Sequence, residues 1–296
     1  MIAVLLILIV FLCINSYMTE TFTSHNSIYI RRGIPHHKNF GDEINKDFFA
    51  YFTQKNVIMN SNQASILGIG SIIRLLRDGD IVYGSGLITP LSLDYKIAKP
   101  HKIIATRGPL TRDELLKQGI DCPKLYGDPA ILLPFWIPIP KIKKKYKLGI
   151  IPHYVDQNNA MLNKYRDNSE VLLIDIKSGN DPEGFISKVC SCEYIVSSSL
   201  HGIIVADAYN IPSGHMKLSD RVVGDTFKFR DYYSSCGREY YHVKMGGSIY
   251  SIISQLKPYK CRFNLRRLIM EFPEIDQIIK NRCLNMLDKG YLKHLQ

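Results

Sequence analysis

The sequence predicts an α/β protein with two Rossmann-like lobes that face each other across a cleft, followed by a C-terminal helical tail. From residue 28 onward, short β-branched runs alternate with helical patterns, which is typical of α/β layering. The alternation stops at a proline-rich and lysine-rich segment near residue 140 and then resumes. A chain of 296 residues is long enough for two such lobes of about 120 residues each.

The boundary between the lobes is a segment in which Pro134, Pro138 and Pro140 precede five lysines within residues 141–147. Proline density and repelling like charges favour a solvated linker, with a polyanion-binding site as the alternative. We therefore predict four regions: an N-terminal hydrophobic anchor or signal segment with a polar stem (1–27), an N-terminal α/β lobe (28–140), a C-terminal α/β lobe (141–257) and a basic helical tail (258–296).

The elements of each lobe follow from the hydrophobic periodicity. In the N-terminal lobe we predict strands and helices at residues 27–31 (strand), 42–52 (helix), 66–69, 81–83 and 102–106 (strands), 109–117 and 130–133 (helices). In the C-terminal lobe we predict strands at 147–151, 171–176 and 193–197 and helices at 158–166, 182–192 and 200–209. In the tail, one helical face, expected to pack across both lobes, carries Leu265, Leu268, Ile269 and Phe272.

The composition describes an ordinary globular protein with a basic surface. It is 46% apolar and 22% charged, which excludes global disorder, and the formal charge of +11 suits an anionic partner. No nucleic-acid-binding signature accompanies that charge, so a phosphorylated substrate is favoured over nucleic acid. Among the seven cysteines, Cys190 and Cys192 form a lone C-x-C, which indicates buried thiols and predicts no metal site.

The N-terminus begins with an unbroken apolar run of thirteen residues, 2–14, followed by a polar stretch. Thirteen residues are fewer than the about twenty of a spanning helix and fit the apolar part of a signal sequence. No clear cleavage site follows, so an uncleaved anchor is favoured over a removed signal peptide. A buried first element of the fold is the other alternative. We expect a membrane-associated protein, single-pass in the secretory pathway.

Polar residues stand where predicted strands end, and ligands of open α/β sheets bind at those ends. Arg107 follows a strand and precedes a helix that starts at Pro109, where free N–H groups favour anions. His153 ends the first strand of the second lobe, and His201 lies between a strand and a helix. One histidine among apolar residues is more often structural than catalytic, but two at equivalent strand ends favour a site. The residues alone therefore predict an α/β cleft that handles an anion.

Several short motifs occur in an order that resembles the polysaccharide pyruvyl transferase family, most closely the ketal-pyruvate transferases of bacterial exopolysaccharide assembly. They cover roughly residues 29–235 and are Asn39–Glu43, Gly84–Gly86, Thr106–Arg112, Gly127–Pro129, Ile151–Tyr154, Ser199–Ala208 and Phe229–Asp231. The resemblance implies a glycosyltransferase-B-like fold, phosphoenolpyruvate as donor and co-substrate, a sugar hydroxyl pair of a glycan as acceptor, and no cofactor.

The resemblance also implies roles for single residues. His201 is expected to be the acid/base catalyst, with His153 as a second candidate, and Asp128 either orients a histidine or accepts from the sugar. Donor binding is expected from Arg107, Arg112 and Arg230, because guanidinium groups bind phosphate and carboxylate well. Ser199, a further substrate-binding candidate, stands where many family members carry arginine, so another basic residue is needed to replace that charge.

Two other functions stay open at this point. A nucleotide-sugar glycosyltransferase of the same fold class is one, because Asp78-Gly79-Asp80 resembles a D-x-D metal motif, although its place before a strand indicates a turn. A catalytically inactive glycan-binding protein is the other, since the arginine before Leu200 is missing.

The membrane anchor can be tested by deletion. Removing residues 1–20 is expected to move the protein from the membrane fraction to the supernatant without unfolding it. A full-length protein that is already soluble after lysis would contradict the anchor.

Overall fold

The structure, a computed structural model, describes residues 26–33 and 39–296. Its strands are β1 (Ser27–Arg31), β2 (Asn56–Met59), β3 (Ile66–Leu67), β4 (Ile81–Tyr83), β5 (Lys102–Ala105), β6 (Tyr146–Ile151), β7 (Val171–Leu173), β8 (Cys192–Ser197) and β9 (Ser213–His215). They form two parallel sheets, with the strand orders β2-β1-β3-β4-β5 and β7-β6-β8-β9. The predicted α/β class is confirmed.

The helices connect the strands and follow them. They are α1 (Phe40–Thr53), α2 (Pro109–Lys117), α3 (Leu133–Trp136), α4 (Asn163–Arg166), α5 (Pro182–Cys190), α6 (Leu200–Ala208), α7 (Asp225–Ser235), α8 (Ile249–Ile253), α9 (Leu265–Met270) and α10 (Gln277–Asp288). None of the helices in the described ranges is both long and apolar enough to cross a membrane. The apolar run at residues 2–14 lies outside those ranges.

The predicted elements and the structure differ in several places. The strand expected at 171–176 ends at Leu173, and the carbonyl of Ile176 instead accepts a hydrogen bond from Phe40 N, 2.8 Å away, at the start of α1. The helix expected at 158–166 begins later, because the Asn159 side chain caps a short 3-10 turn ahead of α4. The edge strand β2 was not predicted, since only one of its four residues is buried.

The lysine-rich segment carries the chain from the first sheet to the second. Residues 141–145 are exposed, as a solvated connection requires. Lys144 nevertheless has a structural contact, because its ammonium donates to the carbonyls of Cys190 (2.9 Å) and Cys192 (2.7 Å). These two cysteines are buried thiols, as expected.

One apolar core spans helices from both halves of the chain. The Phe40 ring of α1 stacks on Phe185 of α5 with 4.2 Å between centroids. The tail joins the same core: Phe272 packs on Tyr83 at 4.8 Å, and the Tyr83 hydroxyl donates to the Leu268 carbonyl. At the other end of the tail, His294 lies 3.2 Å from a carbonyl at the end of α6. The tail therefore contacts elements that flank both sheets.

The strand orders show where a ligand crevice forms. In each sheet the strand order reverses between two neighbouring strands, so that successive strands are added on opposite sides of this point. These strands are β1 and β3 in the first sheet and β6 and β8 in the second. Crevices in open α/β sheets open at the carboxyl ends of such strands. The loops after these four strands are therefore the first place to look for chemistry.

Candidate functional site

His201 lies at the start of α6, directly after β8, and its ring rests on the first turn of α1. A methyl group on Gly41 would come within 2.1 Å of the His201 ring, so only glycine permits this approach. His201 Nδ1 lies 3.3 Å from Oδ1 of Asn39, the N-cap residue of α1. The same oxygen accepts from the Gly41 N–H, so Nδ1 must be the donor and Nε2 carries the free lone pair.

Asp128 faces that lone pair. It caps the turn Pro129–Leu132 by accepting from Ala130 N through Oδ1, at 3.0 Å, and it presents Oδ2 to His201. The distance from Oδ2 to His201 Nε2 is 4.0 Å, too long for a direct hydrogen bond. Within the described residues neither atom has a hydrogen-bond partner, although both are buried. A hydroxyl oxygen beside the line that joins them could donate to Nε2 and accept from Asp128 when that carboxyl group is protonated.

The environment moves the pKa values of these two groups in opposite directions and reverses their order. Burial lowers the pKa of His201 to about 3, and the charges of Arg107 and Lys228 add to the decrease. Burial raises the pKa of Asp128 to about 6, partly offset by the Ala130 N–H. His201 is therefore neutral near pH 7, while Asp128 takes up a proton far more readily than an exposed aspartate.

His153 follows β6, the strand paired with β8, so it enters the same crevice. Its backbone N–H donates to Ser198 Oγ at 2.8 Å, and its ring packs on Tyr154 with 4.1 Å between centroids. Its charge contributes to the lowered pKa of His201. Ser199, the N-cap residue of α6, is buried, and in the described part of the chain its hydroxyl bonds to nothing.

Arg107 is fully buried and fully bonded. Its Nε donates to Asp231 Oδ2 at 3.0 Å, and its two terminal nitrogens donate to Ser71 Oγ and to the Leu87 carbonyl. Asp231 also accepts from the backbone and hydroxyl of Thr111. Every guanidinium nitrogen thus already has a hydrogen-bond partner in the protein. The expected contact between Arg107 and a donor phosphate stays a prediction.

The other two arginines are not brought to this cluster by any hydrogen bond or ion pair of the described residues. Arg112 is half-buried on α2, and its Nε donates to the Cys122 carbonyl at 2.8 Å. Arg230 is exposed on α7. The structure thus unites His201, Asp128, His153 and Ser199 at one edge and leaves Arg112 and Arg230 apart from them.

Two charged residues near His201 were missed by sequence reasoning. Lys228 is buried on α7, donates to the Val223 carbonyl at 2.9 Å, and lowers the pKa of both His201 and Asp42. Burial, followed by the Glu43 carboxylate, raises the pKa of Asp42 to about 7. A signal for Lys228 was present, since it lies three residues before Asp231 on the same buried helical face.

Asp78-Gly79-Asp80 forms a turn. Gly79 has a φ of +84°, and Asp80 is fully buried with both carboxylate oxygens bonded to Arg31 at 2.9 Å. The Asp78 side chain accepts from Lys99 N. These contacts occupy the carboxylates that a D-x-D metal site would need.

A model of the polysaccharide pyruvyl transferase family matches residues 12–219, more than half of the sequence. The chain belongs to this family. Uncharacterized protein L143 of Acanthamoeba polyphaga mimivirus is 34% identical over 176 residues, 58% of this chain and 60% of that protein. Succinoglycan biosynthesis protein ExoV of Rhizobium meliloti (strain 1021) is 27% identical over 211 residues, 69% of this chain and 63% of that protein. The chain thus spans less than two thirds of these relatives' lengths.

Among solved structures, an uncharacterized protein of Klebsiella pneumoniae is 12% identical to this pyruvyl transferase family member, with a TM-score of 0.40. The alignment covers 73% of this chain and 90% of the Klebsiella chain.

The raised pKa of Asp128 predicts a pH dependence of stability. Between its ordinary value of 3.8 and its folded value of about 6, the folded chain binds the Asp128 proton more tightly than the unfolded chain does. This group therefore makes the free energy of unfolding fall as pH rises through that window. Asp128→Asn keeps the turn cap and removes the titration. Its stability relative to the native protein is expected to increase between about pH 4 and about pH 6.5.

The measurement is urea unfolding of both proteins at several pH values. Comparison with the native protein cancels the opposite contribution of His201, whose lowered pKa makes stability rise with pH in the same range. Parallel stability curves for the two proteins would contradict the raised pKa.

Proposed function

We propose that this chain transfers the pyruvate of phosphoenolpyruvate to two hydroxyls of a sugar in a polysaccharide, and forms a pyruvate ketal. The observation that carries the proposal is the pair of buried atoms His201 Nε2 and Asp128 Oδ2, which lie 4.0 Å apart and lack partners within the described residues. Family membership supports a pyruvyl transfer, and ExoV is named for the biosynthesis of a polysaccharide, succinoglycan. We place the reaction in a cleft between the two sheets, in a glycosyltransferase-B-like arrangement.

The reaction needs two protons delivered, one to the methylene carbon and one to the departing phosphate, and two protons removed, one from each sugar hydroxyl. The enol carbon–carbon bond takes a proton at its methylene carbon, and the first sugar hydroxyl attacks the adjacent carbon and loses its proton. The carbon–oxygen bond to phosphate then breaks, the second hydroxyl closes the ring and loses its proton, and inorganic phosphate leaves. When the environments of two titratable groups keep one protonated and the other deprotonated, the first can act as the acid of such a reaction and the second as the base.

We assign the base to His201 and the acid to Asp128. The neutral imidazole holds its lone pair on Nε2, where it accepts the proton of an attacking hydroxyl. Asp128, with a pKa near 6, carries a proton often enough to donate it to the methylene carbon. A bound phosphate and carboxylate would oppose the positive charges that now lower the pKa of His201, and so make it a stronger base.

Donor binding is assigned to Lys228 together with the first turn of α6. Lys228 supplies a buried positive charge beside His201, and Ser199 adds a hydroxyl with no partner in the described structure. Helix N-termini favour phosphate because their first N–H groups are free of intrahelical partners. Lys228 would then replace the arginine that many family members carry at the position of Ser199.

Membrane association through residues 2–14 stays part of the proposal, because that segment lies outside the described residues. The same holds for a location in the secretory pathway.

Replacing His201 separates an enzyme from an inactive glycan-binding protein. His201→Ala is expected to lower turnover at least about 100-fold, because a general base is lost, with little change in donor affinity. The assay follows phosphate release and the mass gain of galactoside and glucoside acceptors incubated with phosphoenolpyruvate. His101→Ala, at an exposed histidine before β5, is the matched control.

Turnover that survives in His201→Ala would falsify its role as the base. If the alanine variant unfolds, His201→Gln preserves much of the ring's volume and serves instead. A native protein that binds the acceptor and releases no phosphate would favour the inactive glycan-binding alternative.

Replacing Lys228 tests donor binding. Lys228→Met keeps the length of the side chain and removes its charge, so KM for phosphoenolpyruvate should rise at least about tenfold, equal to about 1.4 kcal/mol, with acceptor KM unchanged. Lys244→Met, at an exposed lysine, is the control. An unchanged donor KM in a folded Lys228→Met protein would remove Lys228 from the donor site.

A further inference from the structure

A cavity of about 750 Å³ lies between the second sheet and the tail. Its walls are Tyr194 and residues 210–212, 256–262 and 293–296, together with Asp207. Residues 210–212 follow α6 and lead into β9, so the cavity is at the amino-end side of these strands. His201 is at the opposite end of α6, a helix of nine residues and therefore about 13 Å long. This cavity is separate from the candidate active site.

The cavity is basic. Lys257, Lys260, Arg262 and Lys293 line it, together with His294, whose pKa is lowered by burial. Across residues 26–33 and 39–296, Lys260, Arg262 and Lys293 have no carboxylate within ion-pair distance, while Lys257 pairs with Glu239 at 2.9 Å. The one acidic side chain in the wall, Asp207, is already neutralised by Arg238 at 2.7 Å. Among the described residues, Lys260, Arg262 and Lys293 thus line the cavity without a side-chain carboxylate as an ion-pair partner.

The floor of the cavity is held rigidly. The Tyr259 hydroxyl donates to Asp207 Oδ1 at 2.6 Å, and the Arg238 guanidinium stacks 3.5 Å from the centroid of the Tyr259 ring. Tyr194, half-buried, forms another part of the wall. Most of the lining surface is apolar, from side chains such as Ile211 and Leu256. Fixed aromatic and apolar surface beside cations suits a ligand with ring faces and negative charges.

We propose that this basic cavity binds the acidic product of the reaction, a stretch of polysaccharide whose sugars carry pyruvate ketals. The inference rests on the proposed function: each transfer leaves one carboxylate on a glycan whose sugar rings are otherwise uncharged at that position. The carboxylate that the glycan gains in the active site would supply a negatively charged partner for Lys260, Arg262 and Lys293. The cavity therefore distinguishes modified from unmodified chain, and it retains the modified part while His201 acts on a neighbouring repeat.

The test measures binding without turnover. A chemically pyruvylated oligosaccharide and its unmodified form are titrated into the full chain by calorimetry, in the absence of phosphoenolpyruvate. The pyruvylated form is expected to bind at least about tenfold more tightly, and Lys260→Glu/Arg262→Glu should abolish the difference. Lys96→Glu/Lys99→Glu, at exposed lysines on the other half of the chain, makes the same charge change and should preserve it.

Turnover on a monosaccharide acceptor should be unchanged in Lys260→Glu/Arg262→Glu, because the cavity is remote from His201. If the glutamate pair does not fold, Lys260→Gln/Arg262→Gln replaces it. Equal affinity for the two oligosaccharides, or a preference that survives in the cavity variant, overturns the proposal. So does full displacement by an oligonucleotide of equal charge, which would mean a merely electrostatic surface. Because the ligand is synthetic, the binding result stands independently of whether the transferase assay succeeds.

Discussion

The buried ion pair between Arg107 and Asp231 joins the end of β5 to α7, the helix that carries Lys228 of the candidate site. Arg107 follows β5, Asp231 lies on α7, and Thr111 on α2 completes the carboxylate's hydrogen bonds. A buried pair survives only when its polar atoms are satisfied, and breaking one typically costs about 3–5 kcal/mol. This pair meets the condition through five hydrogen bonds, which join Arg107 and Asp231 to each other and to Ser71, Leu87 and Thr111.

The glycines of two motifs are explained by the same pair. A methyl group on Gly108 would lie 2.0 Å from the Asp231 carbonyl oxygen, and one on Gly86 would lie 2.3 Å from Arg107 Cζ. Gly86 is therefore needed for the Arg107 guanidinium to pack against the loop after β4, and Gly108 is needed for α7 to approach the end of β5. That approach sets the position of Lys228, one helical turn before Asp231, and brings its charge to His201. The ion pair thus acts on the site through the helix that it anchors.

The sequence predicted features that depend on neighbouring residues. It did not predict contacts between residues that are far apart in the chain. Alternating hydrophobicity shows where strands stop, so His153 and His201 could be placed at strand ends. The pairing of Asp128 with a histidine was expected from the family resemblance as one of two roles for Asp128. The residues alone did not predict it, because His201 approaches Asp128 only when α6 packs on the turn after Asp128. Arg107 shows the limit most clearly: its strand-to-helix position suggests an anion site, but its partner Asp231 lies 124 residues later in the sequence.

The two ends of α6 obey opposite electrostatic rules. Parallel strands with helical connections direct helix N-termini toward the carboxyl edge, where the helix dipole already favours anions. The His201 site lies at that edge. The buried Lys228 and the N-terminus of α6 are the basis for proposing a phosphate-binding site there. At the other end, the C-terminal carbonyls of α6 carry partial negative charge, and His294 Nε2 lies 3.2 Å from those of Asp207 and Ala208. The anion binding proposed at that end has no help from the backbone and would depend on the lysine and arginine side chains that line the cavity there.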